Sequence, residues 1–363
     1  MMKWLLCGIL LASWGIVNSQ EDPNCNSLGV WLWHLEGTSY PSYVNLANDL
    51  SDLGVNRIYV KVADGRMDSI AWPEIVNTDI IDIFTQKGIE PWAWSYNYPS
   101  NEELQAEAIY IAAKTGYIGF VIDIESEFDG QTAILQRLAS AFYNARNSAI
   151  SDGLVLDSMP LYVTTWGNPM DHNFHIELLD PYVDAYMPQT YLENWGPSFL
   201  DDPELWVDIG NEEYRYLGAT KPINHIISME HGNVTADVVN RFFQSSGPMS
   251  SIWRIPGGGT PLSIRDVWGT VDWNYDFCTA IASTQQDIKG ELKIYPVPFT
   301  STLSISTAVD SEIFIYSSIG DLISRWVPEN DEVNINTETW QAGQYVIRVI
   351  QAKQVWTEVV IKI

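Results

Sequence analysis

Apolar and polar positions along the chain follow two rhythms that take turns. Gly29–Glu36 is apolar in the manner of a buried strand. Tyr40–Leu53 then carries apolar residues at helical spacing until Gly54 stops it. The pairing recurs as a strand over Arg57–Asp64 with a helix running to Gly88, and a strand over Ile89–Tyr96 with a helix over Asn101–Thr115. A fourth strand, Ile118–Glu125, precedes a long helix over Gln131–Ala149. Leu161–Trp166, Asp184–Tyr191, Ile223–Met229 and Ser250–Ile255 read as strands five to eight, with a clear helical segment after all but the last two. Eight β/α units in roughly 255 residues match the size of a parallel α/β barrel of the (β/α)8 or TIM type. An open doubly wound sheet is the alternative, but no early strand is followed by the Gly-rich phosphate turn such sheets use.

The barrel is therefore expected over residues 26–283, and the polar stretch 284–290 reads as a linker. Beyond it, over residues 291–363, the texture changes to short alternating strands. Leu303–Ile305, Ile313–Tyr316, Val333–Ile335, Tyr345–Val349 and Val359–Ile363 predict a small C-terminal β-sandwich.

The first 19 residues read as a signal peptide. Lys3 supplies a positive start, Trp4–Val17 is apolar but short for a membrane span, and Val17 and Ser19 suit a cut before Gln20. No transmembrane segment is expected after its removal. Cys25 and Cys278 then flank the predicted barrel, and because a closed barrel brings its ends together, a disulfide between them is sensible in an oxidising compartment. Two free thiols are the other reading. The formal charge of −27 argues against a nucleic-acid or anionic-membrane partner. The 16 tryptophans suit stacking on sugar rings as well as core packing.

Barrel active sites lie at the C-terminal ends of strands, so candidate chemistry is sought there. The fourth strand runs from apolar residues directly into Asp123, Glu125 and Glu127, and a side-chain period of two puts Asp123 and Glu125 on one face. Strand ends elsewhere supply His34 and Glu36, Lys61 and Asp64, Trp94 and Tyr96, Trp166, Gln189 and Tyr191, and Trp253 and Arg254. Two carboxyls beside aromatics suit a sugar ring held for glycosidic cleavage, with a polysaccharide as the expected substrate. Each residue also has a plainer reading: Trp92, Trp94 and Tyr96 as barrel core, Lys61 as an ion-pair partner of Asp64 or Glu36, and Gln189 as packing. His172, His175 and His231 lack ligand spacing and read as incidental. No HExxH, nucleophile elbow, phosphate loop or cysteine cluster is present in the sequence, so no metal or cofactor is expected.

Two resemblances add to this reading. Lys293-Ile-Tyr-Pro-Val-Pro-Phe299, Ile315-Tyr-Ser-Ser-Ile-Gly320, Trp340-Gln-Ala-Gly-Gln-Tyr-Val-Ile-Arg348 and the closing Val360-Ile-Lys-Ile363 resemble, in order, the type A sorting domain of the type IX secretion system of Bacteroidota. Val297 replaces the usual Asn of its opening signature. The resemblance implies export through the periplasm and across the outer membrane by that machinery, to the surface or medium. In the barrel, Gly119-Phe-Val-Ile-Asp-Ile-Glu125 resembles the fourth-strand signature of glycoside hydrolase family 18, whose final Glu is the general acid, with Val121 where the family has a further Asp. The single Asp-x-Glu and Ile58-Tyr-Val-Lys-Val-Ala-Asp-Gly65 are also similar to the family 25 muramidases. Gly119-Phe-Val-Ile-Asp-Ile-Glu125 and Met187-Pro-Gln-Thr-Tyr191 together resemble a group of extracellular bacterial barrels placed among glycoside hydrolases. These resemblances imply Glu125 as general acid with Asp123 assisting, on a β-linked, N-acetylated polysaccharide. A barrel that binds glycan without cutting it is the alternative. Residues two apart on a strand have Cα atoms about 6.6 Å apart, which leaves retention and inversion both open.

Overall fold

The computed structural model describes residues 26–65, 71–155, 158–275, 292–307, 309, 311–317, 322–328, 330–351 and 354–363. The signal peptide, both cysteines of the expected disulfide and the linker at 284–290 lie outside them.

Residues 26–275 form a closed parallel barrel of eight strands. In chain order these are β1 (Gly29–Leu32), α1 (Tyr43–Leu53), β2 (Arg57–Asp64), α2 (Thr78–Thr85), β3 (Glu90–Tyr96), α3 (Glu102–Thr115), β4 (Phe120–Asp123) and α4 (Thr132–Ser151). They continue as β5 (Leu161–Trp166), β6 (Ala185–Gln189), α5 (Leu192–Trp195), α6 (Pro203–Tyr216), β7 (Ile226–Ser228), α7 (Ala236–Ser245), β8 (Ser251–Trp253) and α8 (Ile264–Trp268). Pairing of Gly29 with Ser251 and of Val30 with Ile252 closes the ring.

Several strands are shorter than the apolar pattern predicts, because apolar residues continue past the last ladder bond into buried loop. The last two strands also carry helices, which the apolar pattern left indistinct. Thr235 caps α7 by accepting from the Val238 amide, and Val238, Val239, Phe242 and Phe243 make its buried face. Helix α8 spans only five residues and buries Ile264 and Trp268, too short for the 3.6-residue period to show in sequence.

Strand alternation sorts the barrel into two cores. Val30, Leu32, Ile58, Val60, Phe120, Ile122 and Val163 face the helices. Trp31, Tyr59, Trp92, Trp94, Val121, Tyr162 and Met187 fill the interior. The interior rings interlock, with Trp31 stacked on Tyr59 at 4.5 Å and Trp92 4.8 Å from Tyr162. Gly119 is required by this filling, since a Cβ there would sit 2.5 Å from the Trp92 ring. Trp92 and Trp94 are thus core residues, although the upper edge of Trp94 reaches the cleft above.

The C-terminal part holds two antiparallel sheets. One comprises β9 (Lys293–Tyr295), β10 (Thr302–Ser306) and β13 (Glu332–Asn336). The other comprises β11 (Glu312–Ser317), β12 (Leu322–Trp326), β14 (Gly343–Gln351) and β15 (Gln354–Lys362). Phe299, Leu303, Ile305, Ile313, Ile315, Ile347 and Val349 pack between them. The outer face of the larger sheet presents Val346 to Leu205 and Ile209 of α6, and Arg348 pairs there with Asp202.

Candidate active site

The interior face of the strands changes character toward their C-terminal ends. Above Val121 comes Asp123, above Tyr59 comes Lys61, above Trp94 comes Tyr96, and above Met187 comes Gln189. These side chains open into a cleft of about 630 Å³ lined also by Trp33, Asp64, Tyr98, Glu125, Trp166, Tyr191, Asn194, Glu230, Trp253 and Arg254.

Asp123 ends β4 and is 5% exposed. Glu125 lies one step past the last strand residue of its face, yet its backbone stays extended at φ −122 and ψ −151. The Ile124 amide still donates to the Thr164 carbonyl at 3.0 Å. Alternation therefore survives beyond the ladder, and both carboxyls reach one group: Gln189 Nε2 donates to Asp123 Oδ1 at 3.0 Å and to Glu125 Oε1 at 3.1 Å. The Tyr96 hydroxyl donates to Glu127 at 3.0 and 3.1 Å and lies 3.4 Å from Glu125 Oε2.

Burial, with Glu125 next in weight, holds the Asp123 carboxyl well above the usual carboxylate range, against an opposing pull from Lys61. Burial also raises Glu125, the Gln189 hydrogen bond lowers it, and Glu127 raises it again. Tyr191 is pushed up by burial and then by the same two acids. The cations in the cleft are already engaged. Lys61 Nζ lies 3.1 Å from Asp64 and 5.1 Å from the Trp94 ring centre. Arg254 donates to Glu230 at 2.8 Å and to the Gly257 carbonyl at 3.1 Å. Two acids with raised proton affinity thus sit side by side in a cleft walled partly by aromatic rings, an arrangement able to deliver a proton to a bound oxygen.

The structure brings together Asp123, Glu125, Lys61, Asp64, Trp94, Tyr96, Trp166, Gln189, Tyr191 and Trp253. It leaves His34 and Glu36 outside the cleft lining, both exposed. The His34 ring is held 5.0 Å from Trp33 and 5.1 Å from Trp72. Both are in phase with Val30 and Leu32, which face the helices, and β1 ends at Leu32. Trp33, Tyr98, Asn194 and Glu230 were not anticipated. Asn194 belongs to the short helix α5, and Trp33, Tyr98 and Glu230 lie past the ends of their strands, each two residues beyond an inward-facing position (Trp31, Tyr96 and Ser228). Among the described residues no group of three or more His, Cys, Asp or Glu is placed to hold a metal ion.

The barrel is distantly similar in structure to glycoside hydrolases. The endo-β-1,4-mannanase of Thermotoga petrophila superposes with a TM-score of 0.46 at 10% identity, over 93% of this chain and 97% of that one. A family 39 glycoside hydrolase from the gut symbiont Bacteroides cellulosilyticus gives 0.43 at 11% identity, over 93% and 82%. A human pseudo-chitinase with retained chitooligosaccharide binding gives 0.42 at 10%, over 56% and 66%. No curated protein matches the chain by sequence. Among the described residues no helix is long and apolar enough to cross a membrane. Residues 293–363 match the family described as the secretion system C-terminal sorting domain, which makes this a secreted or cell-surface protein.

Proposed function

We propose that the barrel is a glycoside hydrolase, exported by the type IX system, that cuts a β-linked, N-acetylated polysaccharide of the peptidoglycan or chitin kind. The observation that carries this reading is the single Gln189 amide shared by Asp123 and Glu125 at the floor of an aromatic-walled cleft. Glu125 is the general acid. Its raised proton affinity keeps it protonated long enough to donate to the leaving glycosidic oxygen. Asp123, deeper and also raised, orients Glu125 or the substrate's N-acetyl group as internal nucleophile. Trp94, Tyr96 and Trp253 offer ring faces and edges to the sugar. Tyr191 supplies a hydroxyl toward developing charge.

One observation favours a second reading, a barrel that binds glycan without cutting it. Val121, directly below Asp123, is apolar and fully buried, so no chain of carboxyls continues under the acid pair. Reducing-end release from a panel of polysaccharides separates the readings when wild type is run beside Glu125→Gln. Release by wild type, lost in Glu125→Gln with binding retained, supports general-acid catalysis. Undiminished release by Glu125→Gln moves the chemistry elsewhere, and binding without release by wild type makes the barrel a binding module.

A further inference from the structure

Trp166 ends β5 and lines the cleft, and its indole is fixed from two sides. Its Nε1 donates to Asp129 Oδ1 at 3.1 Å. Its ring lies face to face on the His172 imidazole, with centroids 3.7 Å apart and planes 5° from parallel. Asp129 Oδ2 is in turn 3.4 Å from His172 Nδ1, so the three side chains close a small ring of contacts. His172, unremarkable in the sequence, is therefore packed against a cleft wall.

The two partners come from different loops. Asp129 follows the short turn Ser126–Phe128, on the loop after β4 that also carries Glu125. His172 belongs to the loop after β5. Those loops are tied by the Gly130 amide, which donates to the Asn173 carbonyl at 2.7 Å. Gly130 has φ +73, and a Cβ there would meet the Asn173 amide at 3.0 Å, so the tie needs glycine. His172 covers one face of the Trp166 ring, and Trp166 lines the cleft while His172 does not.

We propose that Asp129 and His172 are positioning residues that hold Trp166 as a one-sided stacking plate for a sugar unit of the glycan beside Glu125. The proposal rests on the glycoside hydrolase reading above. Its physical content is pre-organisation. A tryptophan at a loop junction loses rotamer freedom when it grips a ligand, and one already clamped loses none. Because the plate touches a neighbouring sugar rather than the cleaved bond, the clamp acts on binding more than on the chemical step. The hydrogen bond and the stack divide the work: Asp129 sets the rotation of the indole in its plane, and His172 blocks tilting.

The test uses the full chain with 15N-labelled indoles, Trp166→Phe identifying the Trp166 resonance. Indole N–H exchange with water is read beside KM and kcat for reducing-end release from the same polysaccharide panel. Asp129→Ala is expected to speed exchange at Trp166 and to raise KM about 3- to 10-fold with kcat near wild type. Asp129→Asn keeps an acceptor oxygen and His172→Phe keeps the stack, so both are expected to stay near wild type in exchange and KM. Unchanged exchange in Asp129→Ala overturns the clamp. Faster exchange with unchanged KM, or a loss confined to kcat, overturns the plate while leaving the hydrolase reading standing. A wild type that neither binds nor cuts any glycan brings down both.

Discussion

The two ends of the barrel interior treat buried charge in opposite ways. At the N-terminal end Arg57, 1% exposed, opens β2 with its Nε donating to Glu90 at 2.9 Å and its guanidinium 4.5 Å from the centre of the Trp92 ring. The cation has an anion and an aromatic face, and Tyr59 and Trp31 close the space above it. At the C-terminal end Asp123 is nearly as deeply placed, but its side-chain hydrogen-bond partner is the Gln189 amide, and the nearby Lys61 is committed to Asp64. Paired charge anchors the bottom of the barrel, and unpaired acid is kept at the top. A fold retains a group with raised proton affinity where proton transfer is needed, at some loss of stability.

That contrast can be broken most sharply at Glu125. Glu125→Gln is expected to cut glycan release by about 10²–10⁴-fold, and Glu90→Gln at the other end to leave the rate per folded molecule unchanged. Equal losses in the two variants would erase the division.

A buried base on the helix side of the sheet extends the comparison. His225 donates or accepts at Thr190 Oγ1 (2.8 Å) and Asn211 Oδ1 (3.1 Å), and burial lowers its pKa to about 3. The unfolded chain, with the ordinary value near 6.5, takes up the proton first. Stability is thus fully present above pH 6.5 and falls as pH drops toward 3, with a slope approaching about 1.4 kcal/mol per pH unit. Urea midpoints measured across that interval should show the fall, and His225→Gln should flatten it.

Arg57→Ala is expected to cost roughly 1.5–3 kcal/mol through the lost charged hydrogen bonds, read as a lower urea midpoint with cleft chemistry intact. A variant as stable as wild type would mean that the pair contributes nothing.

The smallest expected effect has the opposite sign. Because the Asp123 pKa is raised in the fold, stability falls as pH rises from the ordinary carboxylate range toward that raised value. Asp123→Asn removes this slope, and at pH 7 it should stabilise the protein by about 1 kcal/mol while lowering glycan release. Thermal melts at several pH values decide it, and a destabilised Asn variant would show that the acid is not held at a cost.

The barrel was legible in the sequence because its strands are read twice, once by apolar helix-facing residues and once by the interior set. Leu161–Trp166 even keeps its predicted limits. Glu125 illustrates a subtler success. The period-two rule placed it beside Asp123 although β4 stops short of it, since extended backbone preserves side-chain direction without ladder bonds. His34 and Glu36 show the converse. They stand at a predicted strand end, but as even-numbered residues they follow the helix-facing set of Val30 and Leu32, and it is Trp33, two past the inward Trp31, that lines the cleft. Asn194 stayed hidden because the four-residue α5 is too short to show a period, and Trp33, Tyr98 and Glu230 because they lie past their strand ends, although each keeps the inward alternation. Arg254 owes its place to the Gly257 and Gly258 carbonyls, which no local pattern announces.

The Gln189 amide has one more consequence. An NH2 group can only donate, so the oxygens it faces, Asp123 Oδ1 and Glu125 Oε1, must remain acceptors in every protonation state that keeps the contact. Because the hydroxyl oxygen of a carboxyl is the weaker acceptor, a proton on either acid is favoured on the other oxygen, Oδ2 or Oε2. On Glu125 that is the oxygen turned toward the Tyr96 hydroxyl. A single neutral side chain thereby biases which oxygen of the acid is loaded, and with it, under the proposed function, the side from which a sugar oxygen would receive the proton.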